Sequence, residues 1–458
     1  ARPPTTRAAR AVMTSCLCLG TCSSRCCFEP MRMERHAPGD DDVVIDVKYC
    51  GVCHSDLHFA KNDMFITKYP CVPGHEVAGV VRAVGSKVDS FAPGDHVGVG
   101  CFVDSCLACK YCERGDEHMC AAGETLTYNA HPVHGRAGSA ITMGGYTTAM
   151  VVDRRFVIPV PKSLPLDKVG PLLCAGVTTY TPLRRWGAGP GVRVGVHGLG
   201  GLGTMAVKQA KAMGATVTVL SRSRRKEAYA MSIGADALVV SSDREALRAA
   251  GRSLDLVIDT VAQRHDLGAS ALAGGSELKV GMASAGTLLD LLDVDGVWCY
   301  VGAALDMVDL QPAKLLLQQH RITGSKIGSI KDQRDCVSFC AEHGILPETE
   351  VRPATPAALS AIYEALDAGN DAGTRYVLDV GGTLDDSVFD APRAKAPRLT
   401  GRSHLAVQIG LLLNRMALAK AEDLLLKHSG AVVVAVAGAA AAGTVAGLAV
   451  LVSRLGHV

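Results

Sequence analysis

Four cysteines in one polar stretch, Cys106, Cys109, Cys112 and Cys120, are separated by two, two and seven residues. Thiolates so close together suit a tetrahedral, all-cysteine structural zinc, a closed site with no position left for substrate. In a chain whose seventeen cysteines are spread along its length, that spacing favours metal over a disulfide framework. A second group is dispersed: Cys53 in YCGVCHSDLH, His75 followed by Glu76 in PGHEVAG, and Cys174 in PLLCAGVTTY. None is specific alone, because a lone cysteine or histidine is most often a core residue. Their donor types are those of a catalytic zinc, which takes three protein ligands and keeps a position for water or a substrate oxygen. The third signal is Gly198-x-Gly200-x-x-Gly203, with Gly201 inside it, following the run VRVGVH and opening a helical pattern. Glycines there permit a tight turn and close approach to a pyrophosphate, which the helix N-terminus faces. The next apolar run ends at Ser221, where an NAD-binding chain would carry Asp or Glu for the ribose 2′-hydroxyl. Arg222, Ser223, Arg224, Arg225 and Lys226 follow instead. A missing carboxylate beside a basic cluster favours the 2′-phosphate of NADP.

The elements that must hold these residues change character along the chain. Residues 40–160 alternate short β-branched runs with Gly, Pro and Asp turns (VVIDVKY, VAGVVRAVG, DHVGVG, TTAMVV, RFVIPV), which predicts a barrel-like all-β domain. From about residue 180 the order becomes strand, Gly-rich turn, helix (Leu202 to Met213), strand, with ATVTVLS, LDLVIDT and GVWCYVGA as further strands. Such alternation predicts a doubly wound parallel sheet, an α/β fold. Residues 274–296 read as an inserted loop within it, and 322–380 return to short mixed elements. Residues 1–28 have no Asp or Glu but carry Arg2, Arg7, Arg10 and Arg25, so 1–27 read as a leader or disordered extension.

At 458 residues the chain allows two or three domains and a large core. Its 47 Lys+Arg against 45 Asp+Glu give a net charge of +2, which excludes a global basic field for nucleic acid. Hydrophobic residues at 48% and charged residues at 20% exclude wholesale disorder. Aromatics at only 4% argue against a lectin or base-stacking surface.

The segments CGVCHSDLH (50–58), GHEVAGVV (74–81), GDHVGVGCFVDSCLACKYC (94–112), GGYTTAMVV (144–152), LLCAGVTTY (172–180) and GLGGLG (198–203) resemble the zinc-dependent medium-chain alcohol dehydrogenases. Within them they resemble the cinnamyl-alcohol-dehydrogenase-like NADP(H)-dependent aldehyde reductases, over about residues 28–382. The resemblance implies a GroES-like β-barrel catalytic domain (28–178 and 322–382) split by a Rossmann domain (179–321). It implies two Zn2+ per chain and NADP(H), acting on a small aldehyde or primary alcohol. Cys53, His75 and Cys174 would hold the catalytic zinc, with Glu76 as alternative fourth ligand and Asp56 orienting His75. Ser55 and His58 would relay the proton, and a homodimer is compatible with the family. Gly198, Gly200, Gly201, Gly203, Ser221, Arg222, Ser223 and Lys226 would line the cofactor. Leu126 stands where lignin-type members carry Trp just ahead of TYN, which loosens any inference of hydroxycinnamyl specificity.

Nothing in the resemblance covers the end of the chain. Residues 383–402, with Pro392 and Pro397, read as a linker, and 403–458 as a helical tail. Residues 431–452 are 22 uncharged residues between Lys427 and Arg454, with Gly443 and Gly447 on one small-residue face. That is the length of a membrane span. The expectation is therefore an enzyme anchored to an organellar membrane, mitochondrial or plastid, with the cytosol as alternative. A second reading makes the chain an accessory subunit of a membrane complex, its dehydrogenase fold kept mainly as scaffold.

Overall fold

The computed structural model describes residues 13–399 apart from 133, 137, 139, 264, 266, 268–285, 303–311, 370–372 and 392–393. The first half is built on strand Asp42–Val52, long enough to pair with three neighbours: Glu76–Val84 along one edge, and Ala149–Asp153 and Arg375–Asp379 along the other. Thr349–Pro353 extends the sheet beyond Arg375–Asp379, while His96–Val99 and Ile158–Pro159 extend it beyond Glu76–Val84. Register irregularities at Val44/Ile45 and Val47/Tyr49 bend the strand, as extra twist at a bulge does. Val43, Ile45, Val47 and Val52 of this strand bury with Val77, Val97 and Val99 in one core.

The second half is a six-stranded parallel sheet in the order Ala237–Val240, Thr216–Ser221, Arg193–His197, Leu254–Asp259, Leu292–Tyr300, Arg321–Gly324. Numbered along the chain this is 3-2-1-4-5-6, the Rossmann order, in which ligands gather where the order reverses. Its strands read as near-continuous apolar runs because both faces are covered: Leu256 and Ile258 pack to one side, Val257 and Trp298 to the other.

Four expectations need correction. Residues 14–27 are not an extension: Thr14–Thr21 forms a hairpin with Phe28–Arg35, paired from Thr14 opposite Arg35 to Thr21 opposite Phe28. Cys16, Cys18 and Cys26 are buried there, acting as small apolar residues. The stretch read as an insertion contributes Leu288, Leu289, Leu291 and Leu292 to the core, and from Leu292 it is already strand. The parallel sheet runs on to Gly324, beyond the expected boundary at 321. Residues 384–391 and 394–399 are no free linker, since Leu384 and Val388 are buried, Arg32 pairs with Asp386 at 2.7 Å, and the Lys395 carbonyl accepts from Ser360 Oγ at 3.3 Å. No helix among the described residues is long and apolar enough to cross a membrane; the segment 431–452 lies outside the described residues.

Candidate active site and zinc centres

Cys53 lies where strand Asp42–Val52 gives way to helix His54–Ala60, capping that helix. The cap is held by Asp56, whose completely buried carboxylate accepts the Cys53 N–H at 2.8 Å, the Gly74 N–H at 3.1 Å and the Tyr146 hydroxyl at 3.2 Å. The same carboxylate stands 3.3 Å from His75 Nδ1, which leaves the other ring nitrogen as the lone-pair donor. Tyr128 stacks on the His75 ring at 5.8 Å. Cys174 enters from the π-helical turn Leu172–Gly176 between two α-helical segments, an irregularity common at functional sites.

One donor atom each from Cys53, His75, Glu76 and Cys174 lies within 4.8 Å of the others, and the two sulfurs are 3.9 Å apart. Zinc–sulfur bonds of about 2.3 Å in a tetrahedron put sulfurs about 3.8 Å apart, so the set fits zinc. Glu76 Oε2 is buried without a hydrogen-bond partner, the kind of orphan a cation satisfies. Its other oxygen pairs with Arg375, yet burial still holds the Glu76 carboxyl above its ordinary range. Cys53 is held well below the ordinary thiol range, first by the Cys174 thiol and, against burial, by His75, while Cys174 is pushed up by Cys101 and Cys53.

The second cluster, Cys106, Cys109, Cys112 and Cys120, also gathers its donors within 4.8 Å, with sulfurs 3.8 Å (Cys106 to Cys112) and 3.6 Å (Cys109 to Cys112) apart. Backbone N–H groups point at the sulfurs: Cys109 and Ala108 at Cys106, Ala121 at Cys109, and Cys106 at Cys120, all between 3.3 and 3.5 Å. They stabilise thiolate in advance of metal. All four donors are protein atoms, as in a structural site.

Ser55 is exposed on the short helix, and its Oγ lies 3.8 Å from Cys53 Sγ. His58, one turn further, holds its Nδ1 2.8 Å from the nearly buried Asp63. Across the sheet junction, Gly198 adopts a left-handed φ of +87° and helix Gly201–Ala212 opens immediately after Gly200. A side chain on Gly203 would collide with the Gly198 carbonyl, and a Cβ on Gly201 would lie 2.8 Å from Arg375 Cδ. Ser221 ends its strand, Arg222 is exposed, and Lys226 donates to the Leu199 carbonyl at 2.9 Å, carrying its charge to the glycine turn. Sequence reasoning missed Arg375, Asp63 and Cys101. Tertiary packing alone brings Arg375 and Cys101 to the site, whereas Asp63 follows His58 by five residues, in the segment KND, and its N–H bonds the His58 carbonyl at 2.9 Å.

A GroES-like half and a Rossmann half carrying two thiol-rich donor sets define a zinc-binding dehydrogenase. Residues 39–162 match the alcohol dehydrogenase GroES-like domain, and residues 201–280 match the zinc-binding dehydrogenase domain. The chain is 44% identical over 346 residues to NADP-dependent alcohol dehydrogenase C 1 of Mycolicibacterium smegmatis, covering 75% of this chain and 92% of that protein. Among solved structures it is similar to a cinnamyl alcohol dehydrogenase of Sorghum bicolor (TM-score 0.71, 40% identity, 81% of this chain and 99% of that one). It is also similar to the Helicobacter pylori CAD complexed with NADP(H) (TM-score 0.69, 36% identity, 81% and 100%). The chain belongs to the zinc-binding alcohol dehydrogenase family. It is an NADP-dependent oxidoreductase of the alcohol and cinnamyl alcohol dehydrogenase type, with zinc and NADP(H) as cofactors.

Proposed function

We propose that the chain interconverts small aldehydes and primary alcohols, with Cys53, His75 and Cys174 holding the catalytic zinc and Cys106, Cys109, Cys112 and Cys120 a structural one. One observation carries the reading: Arg375 pairs with Glu76 of the first donor set and packs against Gly201 of the dinucleotide turn, joining the two halves of a hydride-transfer site. When bound, zinc supplies a Lewis acid for the substrate oxygen and NADP(H) supplies or accepts the hydride. The protein's own groups do the rest. Asp56 fixes the ring of His75, and Glu76 is the reserve ligand. Asp63 accepts from His58 Nδ1, leaving Nε2 to exchange a proton that Ser55 passes along. Arg222 and Lys226 attract the 2′-phosphate, with Ser221 and Ser223 beside it and Ser221, not a carboxylate, at the end of the strand.

The assignment is tested by kcat/KM with NADPH and NADH on an aldehyde series. NADPH should be preferred, and replacing Arg222 and Lys226 together by Ala should erode the preference by raising KM for NADPH, because these side chains supply uniform binding. Equal preference before and after the change would refute the roles given to them. The intact donor sets count against the scaffold reading. We further infer that residues 431–452 anchor the enzyme to an organellar membrane, a reading supported by their length and lack of charge.

A further inference from the structure

At the switch point of the parallel sheet the last residues of two strands are directly paired, His197 opposite Asp259. The glycine turn begins one residue further on. Asp259 is completely buried, and four donors converge on its carboxylate. His197 Nδ1 at 3.1 Å and the Val261 N–H at 3.0 Å reach Oδ1; His265 Nε2 at 2.7 Å and Trp298 Nε1 at 2.9 Å reach Oδ2. His265 Nδ1 faces the Gln263 carbonyl oxygen at 2.9 Å. Both ring nitrogens of His265 thus face oxygen acceptors, and a histidine satisfies two acceptors only as the doubly protonated imidazolium. Burial alone would raise the Asp259 carboxyl, but hydrogen bonds from His197 and His265 outweigh it and hold it far below the usual carboxylate range. Among the described residues, the other titratable rings facing His265 are His197, 4.7 Å away, and Tyr300, 6.0 Å away. The Tyr300 phenol is pushed up by burial and by the Asp259 charge, so it stays neutral.

His197, Asp259 and His265 offer donor atoms within 4.8 Å of one another, as a metal site would. A metal would require both imidazoles to surrender the protons they direct at the carboxylate, while Trp298 and Val261 already fill its remaining lone pairs. The cluster therefore reads as a proton-bearing network. It is tied to the turn through Thr260, which donates its N–H at 3.0 Å and its hydroxyl at 2.8 Å to the His197 carbonyl. Thr260 Oγ1 and a Val261 methyl each lie 2.9 Å from the place a Cβ on Gly198 would occupy, so these two residues press directly on the turn.

We propose that His265, acting through Asp259 and the Thr260–Val261 segment, is a positioning residue for the dinucleotide turn, holding it in its binding shape while the imidazolium keeps its proton. The proposal rests on the reading of Gly198–Gly203 as the cofactor turn. The direction with pH follows from the charges. Once His265 is neutral, one ring nitrogen must confront an oxygen lone pair, Asp259 and the Thr260–Val261 segment lose that clamp, and NADP(H) binds more weakly as pH rises.

The test is the Kd for NADPH, measured by cofactor fluorescence on the full, zinc-loaded chain from mildly acidic to alkaline pH, for the wild type and His265→Gln. The wild type should lose about tenfold in affinity across the range, the cost of one charge-assisted hydrogen bond. His265→Gln should bind with the weaker affinity throughout, with a flatter profile and with kcat at saturating NADPH within about twofold of wild type. Identical pH profiles for the two proteins, or a loss confined to kcat, would overturn the proposal alone. A wild type that binds no NADPH would overturn the turn's reading as well. Three metal ions per chain, falling to two in the variant, would overturn it in favour of a metal site. Should His265→Gln not fold, ring-nitrogen NMR of the histidine-labelled wild type decides. A histidine carrying both protons at neutral pH and shifting on NADPH addition supports the network, and the lack of one refutes it.

Discussion

The two donor sets use the same atom types for different ends, and the difference lies in what surrounds each sulfur. Around Cys109 the backbone N–H groups of Ala121 and Cys112 hold the thiol at about 6, from an ordinary 9.0. A thiol lowered in the folded state contributes stability above its unfolded value and loses it as pH falls through its folded value. Burial pushes the Cys112 thiol the other way, up to about 12, so protons compete for the lobe at every pH, and zinc release to a chromophoric chelator should rise further as pH falls through about 6 and Cys109 takes up its proton. A release rate indifferent to pH across that range would contradict the role given to these amides. Substitution separates the sites further. Cys109→Ser should lower Tm by more than about 5 °C, since a structural zinc contributes folding free energy. Cys174→Ser should abolish turnover with a near-normal melt, and equal unfolding in both variants would refute the division. Both donor sets were legible in the sequence, the four-cysteine set from spacing and the Cys53, His75 and Cys174 set from its resemblance. Arg375 was not, because an arginine 299 residues from its partner Glu76 leaves no local pattern, and Asp63, though only five residues from His58, belongs to no ligand or glycine motif that would single it out.

At the scale of elements, the glycine turn is the part most tightly set by sterics. A side chain on Gly203 would press on the Gly198 carbonyl, a backbone atom that cannot move without opening the turn. Gly203→Ala should therefore weaken NADPH binding by at least about tenfold, or roughly 1.4 kcal/mol, with a smaller effect on zinc content; isothermal titration beside metal analysis reads both. Unchanged affinity would mean that the helix can slide away from the strand end. This turn was plain in the sequence because strand, glycines and helix are contiguous. The hairpin of Thr14–Thr21 with Phe28–Arg35 was not. Over Ser15–Cys18 the buried Cys16 and Cys18 alternate with the less buried Ser15 and Leu17 before the strand becomes buried through Thr21, a short period of two that shows only when cysteine is counted as an apolar residue. A stretch without acidic residues reads as a leader when composition is weighed before periodicity.

For the whole molecule, the question is what the chain beyond the dehydrogenase fold does. Residues 431–452 would make a helix about 33 Å long at 1.5 Å per residue, against a hydrocarbon core of roughly 30 Å. A helix satisfies its own backbone groups, as lipid demands. The stretch before it carries Arg393, Lys395, Arg398, Arg402, Arg415, Lys420 and Lys427 against Glu422 and Asp423. On the membrane reading, positive charge on that flank would hold the enzyme on the matrix, stromal or cytosolic side. Nine alanines and three glycines make the segment only marginally apolar, so a partner helix packed on the Gly443/Gly447 face is what would hold it. The expected outcome is that alkaline carbonate leaves the native protein in the membrane pellet, and that a chain ending before residue 403 becomes soluble with unchanged kcat. Complete release of the full chain by carbonate would make 431–452 an alanine-rich helix in water and remove the case for a membrane-bound enzyme.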